Sequence, residues 1–185
     1  MTRSSIACAM TALLLCACAS SPPLHYYVLS EVPPTAPSSA AAIGSDVVQV
    51  TRVVLPGELD RTELVQRVDA NRLRIAEEDR WAAPLDDLIR RVLAADLRQR
   101  AGARAGQVSV QIESFSADVA CGVELRASWE WREPGSSAPA PRRRADIQVA
   151  PGADACPTSA IPAHMSEALG QLADRMLEEV AAVNR

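Results

Sequence analysis

From residue 108 to residue 149, apolar side chains recur at every second position. Val108, Val110 and Ile112 share one face, and Ser109, Gln111 and Glu113 the other. After a break at Cys121-Gly122, Val123, Leu125, Ala127, Trp129 and Trp131 fall on one side. Glu124, Arg126, Ser128, Glu130 and Arg132 fall opposite, and Ala145, Ile147 and Val149 resume the pattern. A period of two over three successive runs specifies an antiparallel meander with one buried face and one wet face. Such a buried face has to be covered, and two stretches have the 3.6-residue spacing to cover it. In the first, Leu85, Leu88, Ile89, Val92, Leu93 and Leu97 form one stripe. Pro84 opens it, Asp86, Asp87, Arg98 and Arg100 complement the helix dipole, and Gly102 closes it. In the second, at about 159–183, Ile161, Met165, Leu169, Leu172, Met176 and Val180 do the same.

Upstream, "HYYVLS" reads as a short strand and "VPPTAPSSAAAIGS" as a loop. "DVVQVTRVVLP" reads as a second strand. "ELVQRVDANRLRIAEE" reads as a hairpin whose turn uses Asn71 in the left-handed conformation. The expected fold class is α/β: a single domain with one mostly antiparallel mixed sheet packed with two long amphipathic helices.

The N-terminus is a separate matter. Arg3 is followed by an uncharged run, Ile6 to Leu15, about half the 20 residues that span a bilayer. A basic start, a short apolar run and small residues describe a secretory signal. Leu15-Cys16-Ala17-Cys18 fits the lipobox pattern of bacterial lipoproteins, whereas Leu13-Leu14-Leu15 before Cys16 puts a bulky residue at the cut. The expectation is therefore a signal peptide at 1–17, lipidation of Cys18, a tether at 18–24 and a folded domain at 25–185. Plain secretion, with Cys18 an ordinary residue, is the alternative. Ala19 follows the cysteine, where Asp tends to retain lipoproteins at the inner membrane, so the outer membrane is expected. The six tether residues after Cys18 reach at most about 20 Å, which keeps the fold near the bilayer.

The formal net charge is −4, and every basic residue other than two histidines is arginine. Loss of Arg3 makes the mature chain more acidic, which argues against nucleic acid as a partner. With Cys8 and Cys16 removed and Cys18 acylated, Cys121 and Cys156 remain. In an oxidising periplasm they are disulfide candidates; two buried, unpaired thiols are the alternative. His25 and His164 lack ligand spacing to them, so no metal is expected. No nucleophile elbow, phosphate loop, dinucleotide-binding glycine pattern or metal-binding helix motif occurs. Glu77, Glu78 and Asp79 are read as a hairpin rim rather than an acid–base pair. Arg142–Arg144 is read as a solvated run that discourages edge pairing rather than as a phosphate site. No enzyme and no cofactor are expected.

Several motifs occur in order: Leu55-Pro56, Leu59-Asp60-Arg61, Val65-Gln66-Arg67, Asn71-Arg72-Leu73 and Arg80-Trp81-Ala82-Ala83-Pro84-Leu85, after an early "YYVLS". This series resembles the PqiC/YmbA-type lipoproteins, also described as auxiliary lipoprotein components of ABC-type transport. The likeness is close over about 18–100 and is one of pattern beyond. One position departs: the residue before Leu-Asp-Arg, often aromatic in the family, is Glu58. The resemblance implies a non-enzymatic outer-membrane lipoprotein that docks an MCE-domain periplasmic protein and its integral membrane transport subunits. It also allows a homo-oligomer. It marks Asp60, Arg61, Arg67, Asn71, Trp81 and Pro84 as shaping or interface residues. A free-standing structural lipoprotein and a periplasmic hydrolase are the other two readings.

Overall fold

A 13-residue strand, Gly106–Asp118, is the spine of the structure. The computed structural model describes residues 22–34, 48–101, 104–152 and 156–183. In chain order these form β1 (His25–Tyr27), β2 (Val48–Val54), β3 (Glu63–Asp69), β4 (Arg72–Trp81) and α1 (Leu85–Ala101). Then come β5 (Gly106–Asp118), β6 (Val123–Arg132), β7 (Arg142–Val149), a short 3-10 turn (Thr158–Ala160) and α2 (Ile161–Val183). Among the described residues no helix is long and apolar enough to cross a membrane.

The strands make one seven-stranded sheet in the order β1-β4-β3-β5-β6-β7, with β2 also pairing β5. Along one edge of β5, β2 pairs in parallel at 106–111 and β3 pairs in parallel at 117–118. β6 takes the other edge in an antiparallel ladder from Gln107–Arg132 to Ala117–Val123. The antiparallel ladders β3–β4, β5–β6 and β6–β7 carry most of the paired residues, so the expected mixed sheet is present. The meander's period-two alternation appears as written: Val108, Val110, Ile112, Leu125, Ala127, Trp129, Ile147 and Val149 are all buried. α1 lies against β2, and α2 against β5, β6 and β7, with both helix stripes turned inward. Gly106 has to be glycine, because a Cβ there would sit 2.5 Å from the Trp131 ring.

Two readings of local conformation are corrected. "HYYVLS" is a strand only at His25–Tyr27, paired in parallel with Asp79–Trp81. Beyond it the chain leaves the ladder and runs as a strap over the helices. Leu29 is buried, the Ser30 N–H donates to Ser166 Oγ (3.0 Å), and the Val32 N–H donates to Asp96 Oδ1 (2.9 Å). Gly170 of α2 makes room for it, since a Cβ there would meet Val32 Cβ at 3.0 Å. Leu29 thus finds burial without a strand partner while Val28 stays exposed, which period-two reading does not anticipate. Asn71 is not left-handed either; its N–H is held by the Asp69 carboxylate at 3.0 Å. Among the described non-glycine residues, Cys121 alone has a positive φ, 64°.

Asp96 is the polar centre under the strap. It has no exposure, and besides the Val32 N–H it faces Arg100 Nη1 at 3.3 Å. Arg100, 4% exposed, also reaches Asp174 of α2 at 2.7 Å, so one guanidinium joins both helices. Burial pushes the Asp96 carboxyl above its ordinary 3.8, against the opposing pull of the Val32 N–H and of Arg100.

Asp96→Ala leaves Arg100 with Asp174, so the cost is that of an orphaned buried N–H at Val32, on the order of 1–3 kcal/mol. Chemical denaturation measures it. An acid whose folded pKa is raised binds its proton more tightly when folded, so its contribution to stability falls as pH rises through that window. Asp96→Asn removes this term. Its stability relative to wild type should therefore improve as pH rises above about 4.

Candidate functional site

The sheet has a second face that neither helix covers. Ser109, Ser114, Ser116 and Ser128 lie on it in β5 and β6, with arginines and glutamates of neighbouring strands around them. Arg126 Nε donates to Ser114 Oγ (3.0 Å) and sits 3.0 Å from Glu124. Arg142 makes two bonds to Glu130 Oε1 (3.2 and 3.3 Å), and Arg144 two to Glu113 Oε1 (3.0 and 3.1 Å). Arg142 and Arg144 of the run therefore belong to cross-strand ion pairs on an edge strand. Pairs this exposed contribute a few tenths of a kcal/mol to about 1 kcal/mol each.

At one side of this face lies the β3–β4 hairpin, whose Leu64 and Trp81 are buried in the core. It shares a short ladder with β5, Gln66–Ala117 and Arg67–Asp118. A cleft of about 250 Å³ opens between it and the turn at 57–60, lined by Glu58, Leu59, Val65, Arg67, Asn71 and Leu73, among others. Arg67 Nε donates to Ser116 Oγ at 3.1 Å, which fixes the arginine at the cleft. Leu73 and Ile75 on β4 are 42% and 43% exposed, an apolar lip on an otherwise polar arm. Opposite the step from Glu63 to Leu64, β4 carries Glu77, Glu78 and Asp79 as extra residues. This bulge is where the expected acidic rim lies. Asp79 accepts from the Tyr27 hydroxyl (3.0 Å) and faces His25 Nδ1 (3.2 Å), so it ties β1 to β4 and does not pair with another carboxylate.

The expected site residues divide accordingly. Arg67 and Asn71 meet at the cleft. Asp60 and Arg61 are exposed in the turn before β3; the Arg61 N–H donates to the Leu59 carbonyl (2.9 Å), and its guanidinium is 3.3 Å from Glu63. Trp81 is 5% exposed at the end of β4, its N–H donating to Thr62 O at 2.7 Å. Pro84 leads into α1, and its carbonyl accepts from the Leu88 N–H. Cys18 lies outside the described residues. Cys121 and Cys156 are joined by a disulfide with Cα atoms 5.0 Å apart. In the β5–β6 turn, Asp118 Oδ1 accepts from the Ala120 and Gly122 N–H groups, 2.8 Å each, holding the left-handed Cys121 between them. Among the described residues no three His, Cys, Asp or Glu side chains converge as a metal site. Sequence reading missed the cleft, because Leu59 and Ser114–Ser116 of β5 meet the Arg67–Leu73 pair of the hairpin only through non-local packing. The alternation of β4, Arg72-Leu73-Arg74-Ile75, is the signal that marks its exposed apolar lip.

A family model described as ABC-type transport auxiliary lipoprotein component matches residues 27–177. A crystal structure of an uncharacterized protein superposes with a TM-score of 0.66 at 17% identity, covering 86% of this chain and 99% of that one. A Xanthomonas campestris protein of the family DUF330 gives 0.62 at 17% identity, with 82% and 92% covered. At that identity these two show the fold. No curated protein matches.

Two outcomes follow from the geometry. Trp81→Ala empties a buried ring site and should cost about 3–5 kcal/mol in thermal or denaturant melts. Cys121→Ser opens a cross-link with a sequence separation of 35, for which chain entropy gives roughly 3–4 kcal/mol. Mass spectrometry of unreduced, unfolded protein should find one bridged peptide and no alkylated thiol at either position.

Proposed function

We propose, from the premise that this chain belongs to the family of ABC-type transport auxiliary lipoprotein components, that it is a non-enzymatic docking subunit. Its partner on this reading is an MCE-domain protein of an intermembrane lipid transport system that supports envelope integrity. Residues 1–17 are removed, Cys18 is acylated, 18–24 is the tether, and 25–185 is the domain held at the periplasmic face of the outer membrane.

The observation that carries the reading is the family match over 27–177. Two features of the fold support it. The chain enters the domain at β1, on the β4 edge of the sheet, so a short tether sets the hairpin side near the bilayer. The hairpin arm then offers a partner two exposed aliphatic side chains, Leu73 and Ile75, beside a cleft fixed by Arg67. Aliphatic anchors within a polar rim are the composition of a docking surface. Docking through this arm leaves the helices and the strap undisturbed.

Cys18→Ser should abolish labelling by a fatty-acid probe and release the protein from the outer-membrane fraction, while Cys16→Ser should leave both unchanged. Wild-type protein should co-purify with the MCE protein of the same transport system. A Leu73→Glu, Ile75→Glu double variant should keep its membrane fraction and its melting temperature but lose that partner. An anchored wild-type protein that never recovers an MCE protein supports the free-standing structural reading instead.

A further inference from the structure

On the open face of the sheet, the arginines and serines near the hairpin are already engaged. Arg67 holds Ser116, Arg126 holds Ser114 and Glu124, Arg142 holds Glu130, and Arg144 holds Glu113. One stretch differs. A trough of about 370 Å³ runs across β2, β5, β6 and β7, lined by Arg52, Ser109, Gln111, Ser128 and the Arg142–Glu130 pair, with Val54 at one side. Among the described residues, the side chains of Arg52, Ser109, Gln111 and Ser128 make no hydrogen bond or ion pair within the chain. Ser128 is only 3% exposed.

We propose that this trough binds a phosphate-type oxyanion. The geometry follows from register. Gln111 pairs with Ser128, and Ser109 with Glu130, so the two serines lie diagonally on adjacent strands and their short side chains make the floor. Arg52 stands beside Ser109 on β2, and Arg142 beside Glu130 on β7, so a guanidinium rises on each side. Glu130 is held by Arg142, and the three charges leave the trough one unit positive. The Arg52, serine and glutamine donors are open to the trough and have no acceptor among the described residues, and a tetrahedral oxyanion supplies several acceptor lone pairs at once. An arginine fork together with hydroxyl and amide donors is the arrangement that such an anion takes up best. The volume is within the range of small-molecule sites and exceeds what a bare anion needs, and Val54 gives the carbon side of an ester an apolar wall. A free phosphate and the phosphodiester of a lipid headgroup share this chemistry.

Sequence reading placed the phosphate alternative on Arg142–Arg144. Cross-strand glutamates occupy Arg142 and Arg144, and Arg143 pairs in register with Trp129 on the opposite face, whereas Arg52 lines the open face without a partner among the described residues. It was hidden because a bulge at Val50/Arg52 shifts β2 by one residue and turns Arg52 onto the open face beside Ser109.

The test uses the full-length acylated protein in a maltoside detergent, titrated with inorganic phosphate and, separately, with glycerophosphoglycerol, a water-soluble diester headgroup. Backbone resonances of Ser109 and Ser128 should shift and saturate with at least one of the two. Arg52→Gln should weaken that binding by about tenfold or more. Ser128→Ala should weaken it with an unchanged melting curve, and Arg126→Gln, on the same face, should leave it unchanged. Saturation by phosphate identifies a free anion as ligand; saturation by the diester alone identifies a headgroup. Absence of saturable shifts with both, or equal binding by Arg52→Gln and wild type, overturns the proposal.

Discussion

β5 cannot be satisfied locally. A strand of 13 residues presents two edges and two faces, and each is met by a different part of the chain. β6 takes one edge by a hairpin that needs little sequence separation. β2 and β3 divide the other edge, both in parallel, which forces the chain between them to loop outward at 55–62. That excursion carries Leu59 back against the sheet and creates the cleft beneath the hairpin arm. The arm, the cleft and the open face are thus consequences of how β5 is shared.

The two faces of β5 are stabilised by different physics. Its helix side is apolar and dry, and the stripes of α1 and α2 close it. Its open side is covered by long side chains lying flat, with guanidinium groups bridging serines and glutamates across strands. Arginine suits this because its planar fork can make two donations to one carboxylate, as Arg142 and Arg144 do, whereas an ammonium acts as a point charge. The chain has no lysine, and the arginines that stand in its place have structural work on this face.

What could be read from the sequence was what repeats. The meander's alternation and the helix stripes are periodic, each residue's role is set by its neighbours two, three or four positions away, and the buried sets agree with the pattern. Pairings between distant segments left no such trace. Nothing in "HYY" specifies Asp79–Trp81 as its parallel partner, and nothing in "LSEV" specifies a strap held by Ser166 and Asp96. Asn71 was a sound candidate for a left-handed turn residue by its chemistry, but the Asp69 carboxylate closes that turn with an ordinary φ. The left-handed residue is Cys121, where an aspartate loop and a covalent link to Cys156 over-determine the backbone. Of the candidate site, Arg67 and Asn71 were legible as motif positions; their common cleft was not.

The parallel pairing of β1 with β4 has a mechanical meaning. A chain attached at its N-terminal side and gripped by a partner elsewhere bears tension along the segment between. When β1 is pulled along its own axis, its three register pairs with β4 resist in shear together rather than opening one after another. The next points of resistance are Leu29 in the core, Ser30 on α2 and Val32 on α1. Under the proposed N-terminal attachment, load entering at residue 22 is divided among the sheet edge and both helices before it reaches the long ladders of β5.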